Sequence, residues 1–345
     1  MSLRATHTLR FGILGAGRMG RVHAEHLARD IEGAAAVVWA DPTEPDLAGL
    51  AQNLGIERIA DNWRQLVDAD DLDAVVIATP TDTHYEIVMA ASRRGLAIFC
   101  EKPLDLRLPT LREIQAEVER RHVTLMVAFQ RRFDPAFAAL QRDVAAGRIG
   151  RPHTLRIVSR DSRLPPEVFI PRSGGIFMDM TVHDFDMSRF LLNREIEEVY
   201  ARASRLVDPL VGPMFERHGD WDTTLVSVRF AGGVLGVIEN GRLASYGYDQ
   251  RIEVFGSGGM LTVENPPEAL ASAARDGHVP FFAERYAEAY RIEMQAFVDA
   301  LRTGAPPPVG VAESIRAVEA SLAAARSVAE GRPVAIDEIR SSSHF

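Results

Sequence analysis

The sequence predicts two domains: a doubly wound α/β domain on a parallel sheet, then an α+β domain built on a large, mostly antiparallel sheet. Three observations carry this prediction. Up to Phe129, short apolar runs alternate with helix-like stretches, the pattern of repeated β-α units and of a parallel sheet wrapped on both faces. A glycine-rich turn joins the first apolar run to the first helix-like stretch. Beyond Phe133 the apolar residues alternate with polar ones, as in Thr224 to Phe230, which suits an antiparallel sheet with one covered face. The divisions are 9–129 for the first domain, 130–335 for the second and 336–345 for a tail.

In order, Leu9 to Leu14 reads as a strand running into Gly15-Ala16-Gly17-Arg18-Met19-Gly20, with a helix continuing through His23 to Ala28. Ala34 to Ala40 is a second strand, and Asp41 ends it, 21 residues past Gly20. In such a unit the first glycine permits the tight turn, the second lets the backbone approach a pyrophosphate, and the third lets helix and strand pack closely. The helix N-terminus offers free N–H groups to phosphate, and the acid binds the adenosine ribose hydroxyls. Asp41 would repel a 2′-phosphate and no arginine follows it closely, so NAD is favoured over NADP. The other reading of Asp41 is a strand-end turn before Pro42.

Ala74 to Ala78 is the next strand, followed by the turn Thr79-Pro80-Thr81-Asp82 and a helix from Thr83 to Arg94 closed by Gly95. Leu96 to Cys100 is a strand with Glu101-Lys102-Pro103 at its carboxyl end; Pro109 to Arg121 is a helix and Thr124 to Phe129 a strand. Thr79, Thr81, Lys102 and Arg131 all fall just past strand ends, where ligands of such sheets bind, and are expected to converge on one crevice. Lys102 could donate to a substrate oxygen and stabilise alkoxide charge, or form a salt bridge with Glu101 or a loop carboxylate.

In the second half, strands are read at His153 to Ser159, Glu197 to Leu206, Thr223 to Phe230, Val234 to Asn240, Gln250 to Phe255 and Met260 to Val263. Ala231-Gly232-Gly233 and Gly256 to Gly259 read as hairpin turns. Gly174-Gly175 precede an amphipathic helix bearing Asp179 and His183, four residues apart and so on one face, which should cover the sheet. A carboxylate beside an imidazole can fix its tautomer and raise its basicity, as a general base requires. The plainer reading is an acid favoured by the helix dipole and a solvated histidine one turn later. Phe281 to Arg302 and Val311 to Glu330 read as long helices joined by Pro306-Pro307-Pro308.

The 48 acidic against 39 basic residues give a net charge of −9, which argues against a nucleic-acid surface. The one cysteine, Cys100, excludes an intramolecular disulfide and fits a reducing compartment. It ends an apolar strand and reads as a core residue rather than a nucleophile. No apolar run approaches the roughly 18 residues of a membrane span, and Met1 to Thr8, with no apolar signal core, reads as a leader. A soluble, cytoplasmic protein is expected. His183, Asp184 and Asp186 lack a third histidine or cysteine ligand, so no metal is expected.

The glycine motif, Thr79-Pro80-Thr81 with His84, Glu101-Lys102-Pro103, and the Asp179/His183 pair resemble, in this order, the Gfo/Idh/MocA oxidoreductases. Phe129 to Asp134, Gly174 to Asp186 and Ser245 to Asp249 look most like the bacterial inositol 2-dehydrogenases within that family. The likeness runs roughly from Leu9 to Pro333. It implies an NAD site lined by Gly15, Ala16, Gly17, Arg18, Met19, Asp41, Thr79, Thr81, His84, Glu101 and Lys102. It implies Lys102, Asp179 and His183 as a catalytic trio, with Arg131, Asp161, Tyr246 and Tyr248 at substrate positions; read without the resemblance, the tyrosines are ordinary strand aromatics. The implied reaction is NAD-dependent oxidation of a ring hydroxyl of a polyol, with myo-inositol as first candidate and scyllo-inositol, glucose or a galactose-like sugar as others. A non-catalytic NAD-binding regulator or an NAD-dependent glycosidase are the competing classes. A homo-oligomer, dimer or tetramer, is expected through the outer face of the second sheet.

Overall fold

The computed structural model describes residues 7–265 and 281–342. Most of the expected leader and the last residues of the expected tail, 343–345, lie outside the described residues. The chain divides into two compact units, Met1–Gln130 with Glu288–Ile315, and Arg131–Ala287 with Arg316–Phe345.

The first unit holds six strands: β1 (Leu9–Leu14), β2 (Ala34–Ala40), β3 (Arg58–Ala60), β4 (Ala74–Ile77), β5 (Ala97–Glu101) and β6 (Leu125–Ala128). They lie in the order β3-β2-β1-β4-β5-β6, and every pairing is parallel. Helices α1 (Arg18–Arg29), α2 (Leu47–Leu54), α3 (Trp63–Val67), α4 (His84–Arg94) and α5 (Leu108–Arg121) connect them. β4 and β6 are buried at every position, as strands covered on both faces must be. The strand order reverses direction between β1 and β4, so ligands are expected at the carboxyl ends of these strands. β3 was not foreseen: it is three residues long, two of them exposed, at the sheet edge. The helix Ala287–Thr303, which belongs to this unit from Glu288 onward, brings Phe297 against Phe11 and Phe99, with ring centroids 6.1 and 5.7 Å apart.

The second unit is built on seven strands: β7 (Pro152–Arg160), β8 (Ile196–Ser204), β9 (Thr223–Phe230), β10 (Leu235–Gly241), β11 (Asp249–Gly256), β12 (Gly259–Val263) and β13 (Val334–Ala335). The order is β12-β11-β7-β10-β9-β8-β13, antiparallel throughout except for β7 beside β10. Alternation works as the sequence suggests: along β9, Val226, Val228 and Phe230 are buried while Leu225, Ser227 and Arg229 face out. Both expected hairpins are present, joining β9 to β10 and β11 to β12. Helix α6 (Pro135–Ala145) is capped by Asp134, and α7 (Val182–Leu192) lies against the buried face.

Two expectations need correction. The helix foreseen from Phe281 to Arg302 is broken into Phe282–Arg285 and Ala287–Thr303, because the intervening Tyr286 is fully buried and sets its ring against Tyr248 at 5.8 Å. The tail foreseen from residue 336 begins instead as a helix, Ile336–Arg340. Ile336 and Ile339 are buried there, and Arg340 forks onto Glu319 at 2.9–3.0 Å.

Candidate active site

In the first unit the glycine turn has the shape a dinucleotide needs. Gly15 has φ +97°, and a Cβ there would lie 2.5 Å from the Ala78 carbonyl oxygen. A Cβ on Gly20 would run into the Gly15 carbonyl, so this glycine permits the close approach of α1 to β1. A Cβ on exposed Gly17 would meet nothing within 4 Å, which leaves backbone room for a phosphate. The N-terminus of α1, where Arg18 and Met19 stand, has no side-chain cap and no acid in its first turn, so its N–H groups and partial positive charge face outward. Asp41 accepts from the Ala16 N–H at 2.7 Å and from the Thr43 N–H and hydroxyl at 2.8 and 2.7 Å. Partial burial works against its charge, but the donors from Thr43 and Ala16 outweigh this and hold the carboxyl below its ordinary value. An ionised acid at this place fits a ribose diol and repels a 2′-phosphate.

One histidine stands between the turns after β4 and β5. His84, 1% exposed, faces the Thr79 carbonyl with Nε2 at 2.9 Å and the Pro103 carbonyl with Nδ1 at 3.1 Å. Burial lowers its pKa, with the two carbonyls opposing, and the neutral ring donates to one of them while packing between the turns that carry Thr79, Thr81 and Lys102. Thr79 and Thr83 share a hydroxyl hydrogen bond of 2.7 Å. Glu101 is bonded by His23 Nε2 at 2.8 Å, and His23, on α1, is fully buried between Phe99 and Tyr290. Lys102 is half-buried and precedes a cis bond to Pro103. His23 escaped the sequence reading, because its partner lies 78 residues away and no local motif marks the pair. Cys100 is fully buried and its thiol is raised well above the ordinary value by that burial, which suits a core residue.

In the second unit, Gly174 and Gly175, with φ +77° and +81°, lead into a wide π turn, Phe177–Thr181, before α7 begins. Turns of this kind recur at functional sites. Asp179 lies within it and His183 in the first turn of α7. The helix is not amphipathic as expected: Val182 to Ser188 are all buried, and its polar groups are matched from the sheet and from the turn after β6. His183 is 7% exposed, which disposes of the solvated-surface reading.

Asp179 accepts from Arg242 Nη1 at 2.9 Å. Arg242, 1% exposed, donates through Nη2 to Asp220 at 2.9 Å and through Nε to the Trp221 carbonyl at 3.2 Å. Burial works against its charge, but Asp179 and Asp220 outweigh it and raise the guanidinium above its ordinary value. Neither Arg242 nor Asp220 was foreseen; the Asp179–Arg242 contact spans 63 residues and belongs to no motif.

The substrate candidates separate. Arg131 and Tyr248 come together: Arg131 donates to Asp184 at 2.6 Å, to Ser159 at 3.2 Å and to the Tyr248 hydroxyl at 3.3 Å. Burial opposes the Arg131 charge, but Tyr248 and Asp184 raise it well above its ordinary value. Burial raises the Asp184 carboxyl, with Arg131, Asn240 and Gln250 opposing. Asn240 on β10 donates to Asp184 at 2.6 Å and accepts from Thr181 at 2.6 Å, which pins the π turn and α7 to the sheet. Asp186 is gripped by Arg132 through two bonds of 2.6 and 2.7 Å. Asp184 and Asp186 are thus engaged with successive arginines, and among the described residues no cluster of three or more His, Cys, Asp or Glu could hold a metal ion. Asp161 contributes its charge to Arg131, Arg242 and Tyr248. Tyr246 stands elsewhere, 40% exposed, donating to Asp249 at 2.6 Å and accepting from Arg160 at 2.5 Å. It lines a cavity of about 240 Å³ with Asp249, Arg251, Glu264 and Asn265.

Known proteins share both halves of this arrangement. Residues 9–129 match the model of the oxidoreductase family with an NAD-binding Rossmann fold, and residues 137–262 match the GFO/IDH/MocA C-terminal domain. The chain is 40% identical to the myo-inositol 2-dehydrogenase of Thermotoga maritima, over 96% of its own length and 99% of that protein. It is 43% identical to the inositol 2-dehydrogenase of Rhizobium meliloti, over 95% and 99% of the two chains. Against the crystal structure of a myo-inositol dehydrogenase from Corynebacterium glutamicum the TM-score is 0.86 at 37% identity, covering 95% of this chain and 98% of that one. A glycine turn shaped for a dinucleotide, followed by a sheet domain shared from end to end with these enzymes, makes the chain a member of the GFO/IDH/MocA family of NAD-binding oxidoreductases.

Proposed function

We propose that the protein oxidises a ring hydroxyl of an inositol, myo-inositol to 2-keto-myo-inositol being the first candidate. The observation that supports this most is the full-length likeness to inositol 2-dehydrogenases, without truncation of either domain. NAD, held at Gly15 to Met19 and Asp41, supplies the hydride acceptor when bound. Hydride leaves the carbon only as the hydroxyl proton is removed, so a base has to touch that hydroxyl. In this reading His183 takes the proton, Lys102 shares the hydrogen bond and stabilises alkoxide charge, and Asp179 orients His183. All three residues are present, whereas a regulator without turnover would have no use for them. Arg131, Asp161, Tyr246 and Tyr248 are proposed to shape the polyol pocket.

The test is NADH absorbance on incubation with NAD and myo-inositol, scyllo-inositol, glucose or galactose. A glycosidase that retains its cofactor would release no NADH, and a regulator would show no turnover with any of them. General-base help is worth about 10²–10⁴-fold, so His183→Ala should lower kcat by that order and leave NAD binding in place. Near wild-type turnover in that variant would remove the mechanism.

The protein is further proposed to work in the cytoplasm as a homo-oligomer. No described helix is long and apolar enough to cross a membrane. Leu225, Leu235, Val237, Phe255 and Met260 are 41–54% exposed on one face of the second sheet, which suits cover by a second copy. A monomeric mass in sedimentation at working concentration would count against it.

A further inference from the structure

Resting on the reading of Asp179 and His183 as the acid–base pair, we infer that Arg242 is the positioning residue that fixes Asp179. An arginine with 1% exposure is costly unless it is paired and hydrogen-bonded, and here each nitrogen of the guanidinium has a partner. Nη1 holds Asp179, Nη2 holds Asp220, and Nε holds the Trp221 carbonyl. The Arg242 N–H bonds the Asp222 carbonyl at 2.8 Å, and the ring of Phe215 lies 5.5 Å from the guanidinium carbon.

Asp220 closes the arrangement. Its Oδ2 takes Arg242, while its Oδ1 takes the N–H of Ile176 at 2.8 Å, three residues before Asp179. A Cβ on Gly175 would sit 2.9 Å from that Oδ1, so the glycine leaves room for the contact. The same carboxylate therefore anchors the start of the π turn and the arginine that grips the aspartate inside it. Asp222, fully buried, stiffens the strand-end segment by accepting from the N–H groups of Leu206 and Val207. One oxygen of Asp179 is committed to Arg242, and its other oxygen serves His183 in the proposed mechanism. Rotating Asp179 would misplace the base without touching the cofactor site.

The experiment compares Arg242→Met and Arg242→Lys in the full-length protein, in the wild-type background and in Asp179→Asn, by steady-state kinetics and NAD titration. Arg242→Met is expected to lower kcat by about 10²-fold, the cost of a misplacement near 1 Å, with NAD affinity unchanged. Lysine keeps the charge but loses the fork, so it should restore part of the loss. In Asp179→Asn the same Arg242 changes should cost less than about threefold, because residues acting as one unit are not additive. If Arg242→Met does not fold, Arg242→Lys carries the comparison alone, through its effect in the two backgrounds. An equal loss in both backgrounds, or no loss in either, overturns the inference. If instead Asp179→Asn and His183→Ala keep near wild-type turnover, it is the acid–base reading that fails.

Discussion

Asp184 and Arg131 form a buried charge pair in the second unit, and removing one partner should unfold that unit early. Asp184 is fully buried and accepts from Arg131 at 2.6 Å, Asn240 at 2.6 Å and Gln250 at 3.5 Å. Asp184→Ala leaves the buried Arg131 guanidinium without its carboxylate, with only the Ser159 and Tyr248 hydroxyls to accept from it, and takes the acceptor from the Asn240 amide; breaking such a pair costs about 3–5 kcal/mol. At about 2–4 °C per kcal/mol for a unit of this size, the thermal transition should fall by about 6–20 °C. Arg131→Met alone should cost a similar amount, because it strands the carboxylate. The double variant Arg131→Met with Asp184→Ala strands neither charge and should be clearly more stable than the sum of the singles predicts. The assay is differential scanning calorimetry of all four proteins without substrate, with the lower transition assigned by limited proteolysis. Single variants that lose less than about 1 kcal/mol, or a double variant as damaged as that sum, would refute the reasoning.

Three further outcomes are expected. Asp41→Ser removes an ionised acceptor worth about 1.5–3 kcal/mol, so the preference for NAD over NADP in kcat/KM should shrink by about 10–150-fold; an unchanged ratio would sink the assignment. Gly20→Ala pushes a methyl into the Gly15 carbonyl, so stability should fall by about 1–3 kcal/mol and NAD affinity with it, readable by thermal shift and titration. Asp249 is buried, and the donors Arg251, Tyr246 and Asn265 outweigh that burial and hold its carboxyl below the ordinary value. Its folded pKa is depressed, so the stability it contributes is present above the unfolded value of about 3.9 and lost as pH falls from there through the folded value. Denaturant melts should therefore show a smaller acid loss in Asp249→Asn than in the wild type.

The parallel sheet was legible because its central strands are buried on both faces and read as unbroken apolar runs, as Ala74 to Ile77 do. β3 was not, because three residues with two exposed carry no pattern, and β13 has only two. The glycine turn was legible because its three glycines answer to backbone geometry, which leaves a mark in sequence. The break at Tyr286 was hidden because helical spacing continues through it, and the cause is a ring contact with Tyr248, 38 residues back. Arg242, Asp220, Asn240 and His23 were invisible for the same reason: each meets its partner through the fold, across tens of residues. A buried charge announces itself only once burial is known.

If Tyr246 and Tyr248 shape the polyol pocket as proposed, the sharing of Arg131 between Asp184 and Tyr248 bears on how substrate preference can drift. Exchanging Tyr248 removes a hydroxyl that Arg131 reaches and a ring that abuts Tyr286, so a new preference reached there arrives together with a loosened sheet domain. Tyr246, exposed and bonded to Arg160 and Asp249, can be replaced with local consequences. Lineages or libraries that move between polyols should accumulate their changes first at Tyr246 and its neighbours, and at Tyr248 only after stabilising changes elsewhere.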